Sequence, residues 1–591
     1  MVILAGVFLV ILTAVVTIRI LAERGKNDEI EGALYRDETR SVEERVEDLL
    51  GRMTTEEKIG QLALVEKNSL LLKSDIARFG LGALLSGGGG GPDSPEPEAW
   101  LTMIHDFQDI AKSTRLEIPL LYGVDAVHGH SNVFGATLFP HAIGLGASGD
   151  VDLVRRIGMI TAEEMAMTGA NWNFSPTGDV VQDIRWGRTY ETFGTDPKMV
   201  SDLTGAYVEG LQSRSVVGTA KHYLGTGAMV WGTSTNRDFQ LDQGAITIDE
   251  ATLRSVHLPP FARAVRAGVG SIMVGHATWN GVELVANHTL LTDVLKGELG
   301  FDGFVVSDWY GVYEIPGDKY HALVTAINAG VDMVMLPYDY RLFTQDMRRA
   351  VEQGDLSRER LDDAVRRILR VKFAAGLFEK RAVPTFDRKA FGSSEHREVA
   401  REAVRKSLVL LKNEQHALPI SKTTAHIVVA GGSADNLGRQ SGGWTVEWQG
   451  IDGNWIPGTT ILQAIKSAVS SQTKVEYRQA GDFPLETELA DVGIAVVGEA
   501  PYAEGWGDSE HPTLSDEDLE AIRRVRAISK KLIVVIVSGR PLDISSSVKN
   551  WDAVVAAWLP GSEGGGLADV LFGDHPFTGT LPVAWPLEKK D

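Results

Sequence analysis

Cysteine is absent from all 591 residues. Disulfides, thiolate metal sites and thiol nucleophiles are therefore excluded, while reducing and oxidising compartments both stay open. Basic residues are in the minority, 58 against 79 acidic ones, for a formal charge of -21. A surface of that sign repels phosphate backbones and anionic lipid, so no nucleic-acid partner is expected. The glycine-rich runs Gly87–Gly91 and Gly564–Gly566 lack the G-x-G-x-x-G context of a dinucleotide site. His128 and His130 have no evident third ligand, so no metal and no cofactor is expected. Fixed-period repeats and heptads are missing too. With 43% hydrophobic and 23% charged residues the composition is globular, and the length exceeds one ordinary core, so two or more domains are expected.

Long apolar runs are missing except at the start. "MVILAGVFLVILTAVVTI" has 18 residues without a charge. Residues 1–22 read as an export signal or a membrane anchor, with orientation open, because Arg19, Arg24 and Lys26 follow the apolar run rather than precede it. Thr54 and Glu57 then form a capping-box pattern.

Short apolar runs alternate with longer amphipathic ones over 35–378: "GLGALLS", "IPLLYGVD", "NWNFSP", "VVGTAKH", "SIMVGHA", "GFVVSD" and "VDMVML". Repeated β-then-α units favour a parallel sheet, and seven or eight of them suit a (β/α)8-type barrel, with irregular or antiparallel first units allowed. A turn-rich stretch, 379–400, reads as a linker. A helix, "REVAREAVRKSLVLLKN" from Arg397, leads into the second domain, 401–591. Four strands follow, "HIVVAGG", "VGIAVVGEAP", "KLIVVIVSG" and "DAVVAAWLPG", alternating with helices. That is too few for a second barrel, and a smaller α/β sandwich domain is expected.

Several barrel strands end in ionisable residues: Asp125, Lys221 with His222, His276 and Asp308. Alone, each has an ordinary explanation as a helix cap, an ion pair or a satisfied core histidine. Together they mark the face where barrel strands converge at their carboxyl ends and active sites are built.

Six ordered motifs sharpen this: "YGVDAVHGHSNVFGATLFPHAIGLGAS", "DIRWGRTYETFG", "GTAKHYLGTG", "GFVVSDW", "SADNLGRQSGGWTVEWQG" and "GEAPYAEGWGD". Over residues 35 to 585 the chain resembles glycoside hydrolase family 3, and within it the exo-acting β-glucosidases and β-glucan exohydrolases. The resemblance implies a retaining hydrolase that releases glucose from the non-reducing end of β-gluco-oligosaccharides through a covalent glycosyl-enzyme. It implies Asp308 as nucleophile and Glu504, from the second domain, as acid/base. Asp125, Arg188, Lys221, His222 and His276 are implied as the polar clamp on the sugar, with Trp309 and Trp448 as aromatics against the next one. Residues so distant in sequence can meet only if the second domain covers the barrel mouth.

The chain departs from the family pattern at four positions. Thr226 stands where an aspartate is frequent, His276 where plant members have tyrosine, and Tyr310 and Glu314 where an acid and an arginine are usual. These bear on linkage preference and the leaving-group side. The alternatives are a β-xylosidase of the same family and a catalytically silent glycan-binding protein. A β-N-acetylhexosaminidase is disfavoured because "KHYLGTGAM" lacks that branch's histidine loop.

Overall fold

The computed structural model describes residues 32–379, 386–484 and 487–587. Residues 1–22, expected to be a signal or anchor, lie outside them. Among the described residues no helix is long and apolar enough to cross a membrane.

Eight short strands form the first sheet: β1 (Ala63–Glu66), β2 (Ala83–Ser86), β3 (Leu121–Val124), β4 (Trp172–Asn173), β5 (Val217–Tyr223), β6 (Ser271–Val274), β7 (Phe304–Ser307) and β8 (Val334–Leu336). Their order is β7-β6-β5-β4-β3-β2-β1-β8, and every pairing is parallel. A parallel bridge from Val306 to Met333 joins the two ends, so the sheet closes into the expected barrel. The first units are neither irregular nor antiparallel: Leu64 pairs with Ala83 and with Met335 in parallel register. The strands are buried because helices cover the outer face and side chains fill the interior, which is why they read as apolar runs rather than alternations. The Thr54 box forms as expected, with Thr54 Oγ1 accepting from Glu57 N and the Glu57 carboxylate accepting from Thr54 N.

The second sheet has β9 (Val409–Asn413), β10 (His426–Ala430), β11 (Lys474–Tyr477), β12 (Ala490–Gly498), β13 (Ser529–Val537) and β14 (Ala553–Trp558), in the order β9-β14-β13-β12-β10-β11. One expectation is corrected here. The helix read through "REVAREAVRKSLVLLKN" spans Ser394–Ser407, beginning inside the expected linker stretch, and the apolar residues after it form β9 instead. Val409 and Leu410 pair antiparallel with Ala556 and Val555, and that edge burial outweighs helix propensity.

Side chains and backbone lock this domain onto the barrel. Tyr190 Oη donates to Tyr502 O at 2.7 Å, and Arg540 Nη1 to Arg185 O at 3.0 Å. Val446 N donates to Ser131 O at 2.7 Å, and His128 Nε2 lies 3.0 Å from Thr445 Oγ1. The contacts hold the second domain over the carboxyl ends of the strands.

One buried ion network fixes the strand that carries Asp308. Asp332 Oδ1 accepts from Lys296 Nζ and Arg360 Nη2, each at 2.7 Å, while its Oδ2 accepts from Val305 N at 2.8 Å. Asp332→Ala leaves the buried Lys296 with a carboxylate no nearer than Asp363 at 3.8 Å and takes one of two carboxylates from Arg360. It is expected to cost about 3–5 kcal/mol, read as a lower urea midpoint; an unchanged midpoint would show the network to be dispensable.

Candidate active site

Each expected site residue sits where a strand or turn at the barrel mouth delivers it. Asp308 and Trp309 directly follow β7, Asp125 follows β3, Lys221 and His222 end β5, and His276 lies just beyond β6. Arg188 precedes the single turn Thr189–Glu191, and Glu504 begins the turn Glu504–Gly507 after β12. All nine, Trp448 included, line one cavity of about 700 Å³. None of them is left out of it.

Asp308 keeps 17% of its side-chain surface exposed. Trp309 N donates to its Oδ1 at 2.6 Å; His222 Nε2 lies 3.7 Å from Oδ2 and His276 Nε2 4.0 Å from Oδ1. Burial opposes ionisation, but the fields of His276, His222 and Arg188 outweigh it and hold the carboxyl at about 2.

Glu504 has the opposite setting. Burial, reinforced by the negative fields of Asp242, Asp308 and Glu191, outweighs the attraction of Arg188 and pushes its carboxyl up to about 8. Arg188 Nη1 is 3.6 Å from Glu504 Oε1, while its Nε and Nη2 are spent on Glu191 at 3.0 and 2.9 Å. Glu504 also adopts a positive φ of 54°, a conformation disfavoured for non-glycine residues that surrounding structure must hold.

The remaining wall is a ring of complementary polar groups. Lys221 Nζ donates to Asp125 Oδ1 at 3.0 Å. His222 Nδ1 donates to Asp179 Oδ2 at 2.9 Å, which turns its Nε2 toward Asp308. Trp309 and Trp448 enclose the loop of Gly87 and Gly88. A Cβ on Gly88 would lie 2.9 Å from the Trp448 Cα, so this close approach requires glycine.

Two of the four departures, His276 and Glu314, prove to be paired. His276 Nδ1 and Glu314 Oε2 are 2.8 Å apart; against the effect of burial, the field of Asp308 and then the contact with Glu314 raise the imidazole to about 10. Thr226 donates its hydroxyl to Asp179, so a carboxylate still stands behind His222, supplied from another loop.

Sequence reading missed Glu191, Asp179 and Asp242. Glu191 had a signal, since an acid three residues after Arg188 in "RTYE" matches the ion-pair spacing of a tight turn. Asp179 and Asp242 sit in loops with no local pattern; only the fold brings Asp242 to the cavity and sets Asp179 behind His222.

A model of the glycosyl hydrolase family 3 N-terminal domain matches residues 54–371, and one of its C-terminal domain matches 408–591. The chain belongs to glycosyl hydrolase family 3. Among its family 3 relatives, a lysosomal beta glucosidase of Dictyostelium discoideum is 32% identical, the match covering 92% of this chain and 72% of that protein. A periplasmic beta-glucosidase of Salmonella typhimurium is 31% identical over 92% of this chain and 74% of its own. The crystal structure of an exo-1,3/1,4-beta-glucanase from a Pseudoalteromonas species is similar at a TM-score of 0.84 and 40% identity, covering 92% of this chain and 71% of that one. The closed parallel barrel followed by a separate mixed sheet is the family 3 arrangement.

His276→Gln removes the foremost positive field acting on Asp308. The Asp308 carboxyl, followed by isotope-edited infrared spectroscopy, is then expected to titrate clearly above about 2. An unmoved midpoint would show that His276 carries no charge there.

Proposed function

We propose that this chain is a retaining exo-β-glucosidase that frees glucose from the non-reducing end of β-gluco-oligosaccharides, with Asp308 as nucleophile and Glu504 as acid/base. One observation carries the reading: two carboxyls line the same cavity, one held ionised and the other held protonated at neutral pH. Double displacement needs that pair.

In the first step an Asp308 oxygen bonds to the anomeric carbon as the bond to the leaving oxygen breaks, and Glu504 gives that oxygen its proton. In the second, Glu504 takes a proton from water, whose oxygen bonds to the anomeric carbon and releases the Asp308 carboxylate. Positive character at the ring carbon is favoured by Asp308, whose charge is maintained by His276 and His222. Asp125, Lys221, Arg188 and His222 offer donors and acceptors to the hydroxyls of the terminal glucose. A ring closed by these groups leaves no space for a preceding sugar, which is the physical basis of exo action. Trp309 and Trp448 offer apolar faces to the following sugar. His276, engaged by Glu314, fits a counter-charge to Asp308 better than a hydroxyl ligand. The uncharged N-terminal run, together with a periplasmic and a lysosomal enzyme among the relatives, supports export or membrane tethering.

Asp308→Asn is expected to lower kcat/KM by several orders of magnitude, with retention followed by NMR of the anomeric proton. Glu504→Gln should cost about 10²–10⁴-fold on cellobiose and laminaribiose but little on 2,4-dinitrophenyl β-glucoside, whose leaving group needs no proton. Equal losses on both would reassign the acid. Because Glu504 must start protonated, kcat/KM should fall as pH rises through about 8. Faster turnover of aryl xylosides than of aryl glucosides would favour the β-xylosidase alternative.

A further inference from the structure

The turn that bears Glu504 is keyed to the barrel by a carboxylate outside the proposed chemistry. Asp508 Oδ1 accepts from Gly187 N at 3.0 Å. Its Oδ2 accepts from three successive backbone N–H groups, those of Gln240 at 3.1 Å, Leu241 at 2.7 Å and Asp242 at 2.9 Å. Asp508 N in turn donates to Gly505 O at 3.0 Å, closing the acid-bearing turn on itself. One side chain of the second domain thus gathers two loops of the first.

These two loops carry the groups that act on Glu504. Gly187 immediately precedes Arg188. The 240–242 segment ends in buried Asp242, whose Oδ1 accepts from Trp186 Nε1 at 2.9 Å. The fit is tight from both sides. A Cβ on Gly187 would lie 2.0 Å from Glu504 O, and one on Gly505 would lie 2.2 Å from the Phe239 ring. Such contact distances leave the turn one seat, and the hydrogen bonds of Asp508 hold it there against the unfavourable φ of Glu504.

We infer that Asp508 is the positioning residue of the acid/base. It pins Glu504 between Arg188 and Asp242, so that the proton is delivered to the leaving oxygen from a fixed place. This rests on the reading of Glu504 as the acid/base. The charged groups facing Glu504 are Arg188, Asp242, Asp308, Glu191 and, from its place beyond Asp308, His276. Asp508 itself need not touch substrate; it acts through Glu504. Loosening the clip withdraws Glu504 from Asp242 and from its enclosed seat, so its carboxyl moves down toward the ordinary glutamate range.

The test compares Asp508→Asn with Glu504→Gln in the full chain. The substrates are laminaribiose and 2,4-dinitrophenyl β-glucoside. Asp508→Asn is expected to cut kcat/KM on laminaribiose by about 10–100-fold, to change the first step on the dinitrophenyl glucoside by less than about threefold, and to move the basic limb of the pH profile to lower pH. Added azide should raise turnover of the dinitrophenyl glucoside by the variant. Azide bonds to the anomeric carbon of the glucosyl-enzyme, releases the Asp308 carboxylate and needs no base.

If Asp508→Asn slows both substrates equally, with an unmoved basic limb and no azide effect, Asp508 is only a structural contact and the inference fails, while selective loss in Glu504→Gln leaves the acid/base reading standing. If Glu504→Gln shows no selectivity, the acid/base reading itself falls and takes the inference with it. Should Asp508→Asn not fold, Gly505→Ala displaces the same turn from Phe239. The same selective loss is then expected, and an even loss overturns the inference.

Discussion

Two carboxyl groups share one cavity in opposite protonation states, and a single guanidinium sits in the field of both. Arg188 attracts Glu504 from 3.6 Å and contributes to the ionisation of Asp308, yet most of its charge is committed to Glu191. Were Arg188 free of Glu191, its field would favour a charged Glu504. Burial keeps Glu504 protonated against this cation, and the buried Asp242 and Glu191 add to it by opposing the cation's field. Asp308 escapes the same fate because His276 and His222 approach it from the other side. The asymmetry of charge placement, more than burial alone, separates the two groups.

That asymmetry exists only because a second domain closes the barrel mouth. A barrel opening into water would screen the fields of these side chains; covering it with Trp444, Trp448 and the Glu504 turn reduces that screening. The covering domain is held by side-chain and backbone contacts together, the ion pairs of Arg156 with Glu402 and Lys406 with Asp150 among them. Tyr190, Arg540 and His128 bond to the chain across the junction, and Asp508 collects four amides. Backbone partners fix loop paths rather than single rotamers, which suits an interface that lines the cavity.

Where the chain departs from its family's pattern, the local charge arrangement is rebuilt rather than lost. Thr226 replaces a frequent aspartate, and Asp179 stands behind His222 with Thr226 bonded to it. His276 and Glu314 depart together and contact each other, placing an imidazole with a carboxylate behind it next to Asp308. Each pair joins residues from different βα loops, so the two members could not be matched by reading along the chain.

The sequence by itself determined the elements and the chemical inventory. Buried parallel strands demand apolar runs, and "FVVSDW", "GTAKH" and "GEAPYAEGWGD" carried Asp308, Lys221, His222 and Glu504 in recognisable local settings. The barrel was legible on that basis; the nine candidate residues, which the structure gathers at one cavity, came from the family motifs as much as from local pattern. Strand β9 was not legible, because Val409–Asn413 continues a helical pattern and becomes a strand only by pairing with Ala553–Ala556. Nor were Asp179, Asp242 and the clip at Asp508, whose partners lie in distant loops. Only the tertiary structure decided which carboxyl keeps its proton. Protonation is set by burial and by fields acting through space, and those depend on how the two domains close on each other.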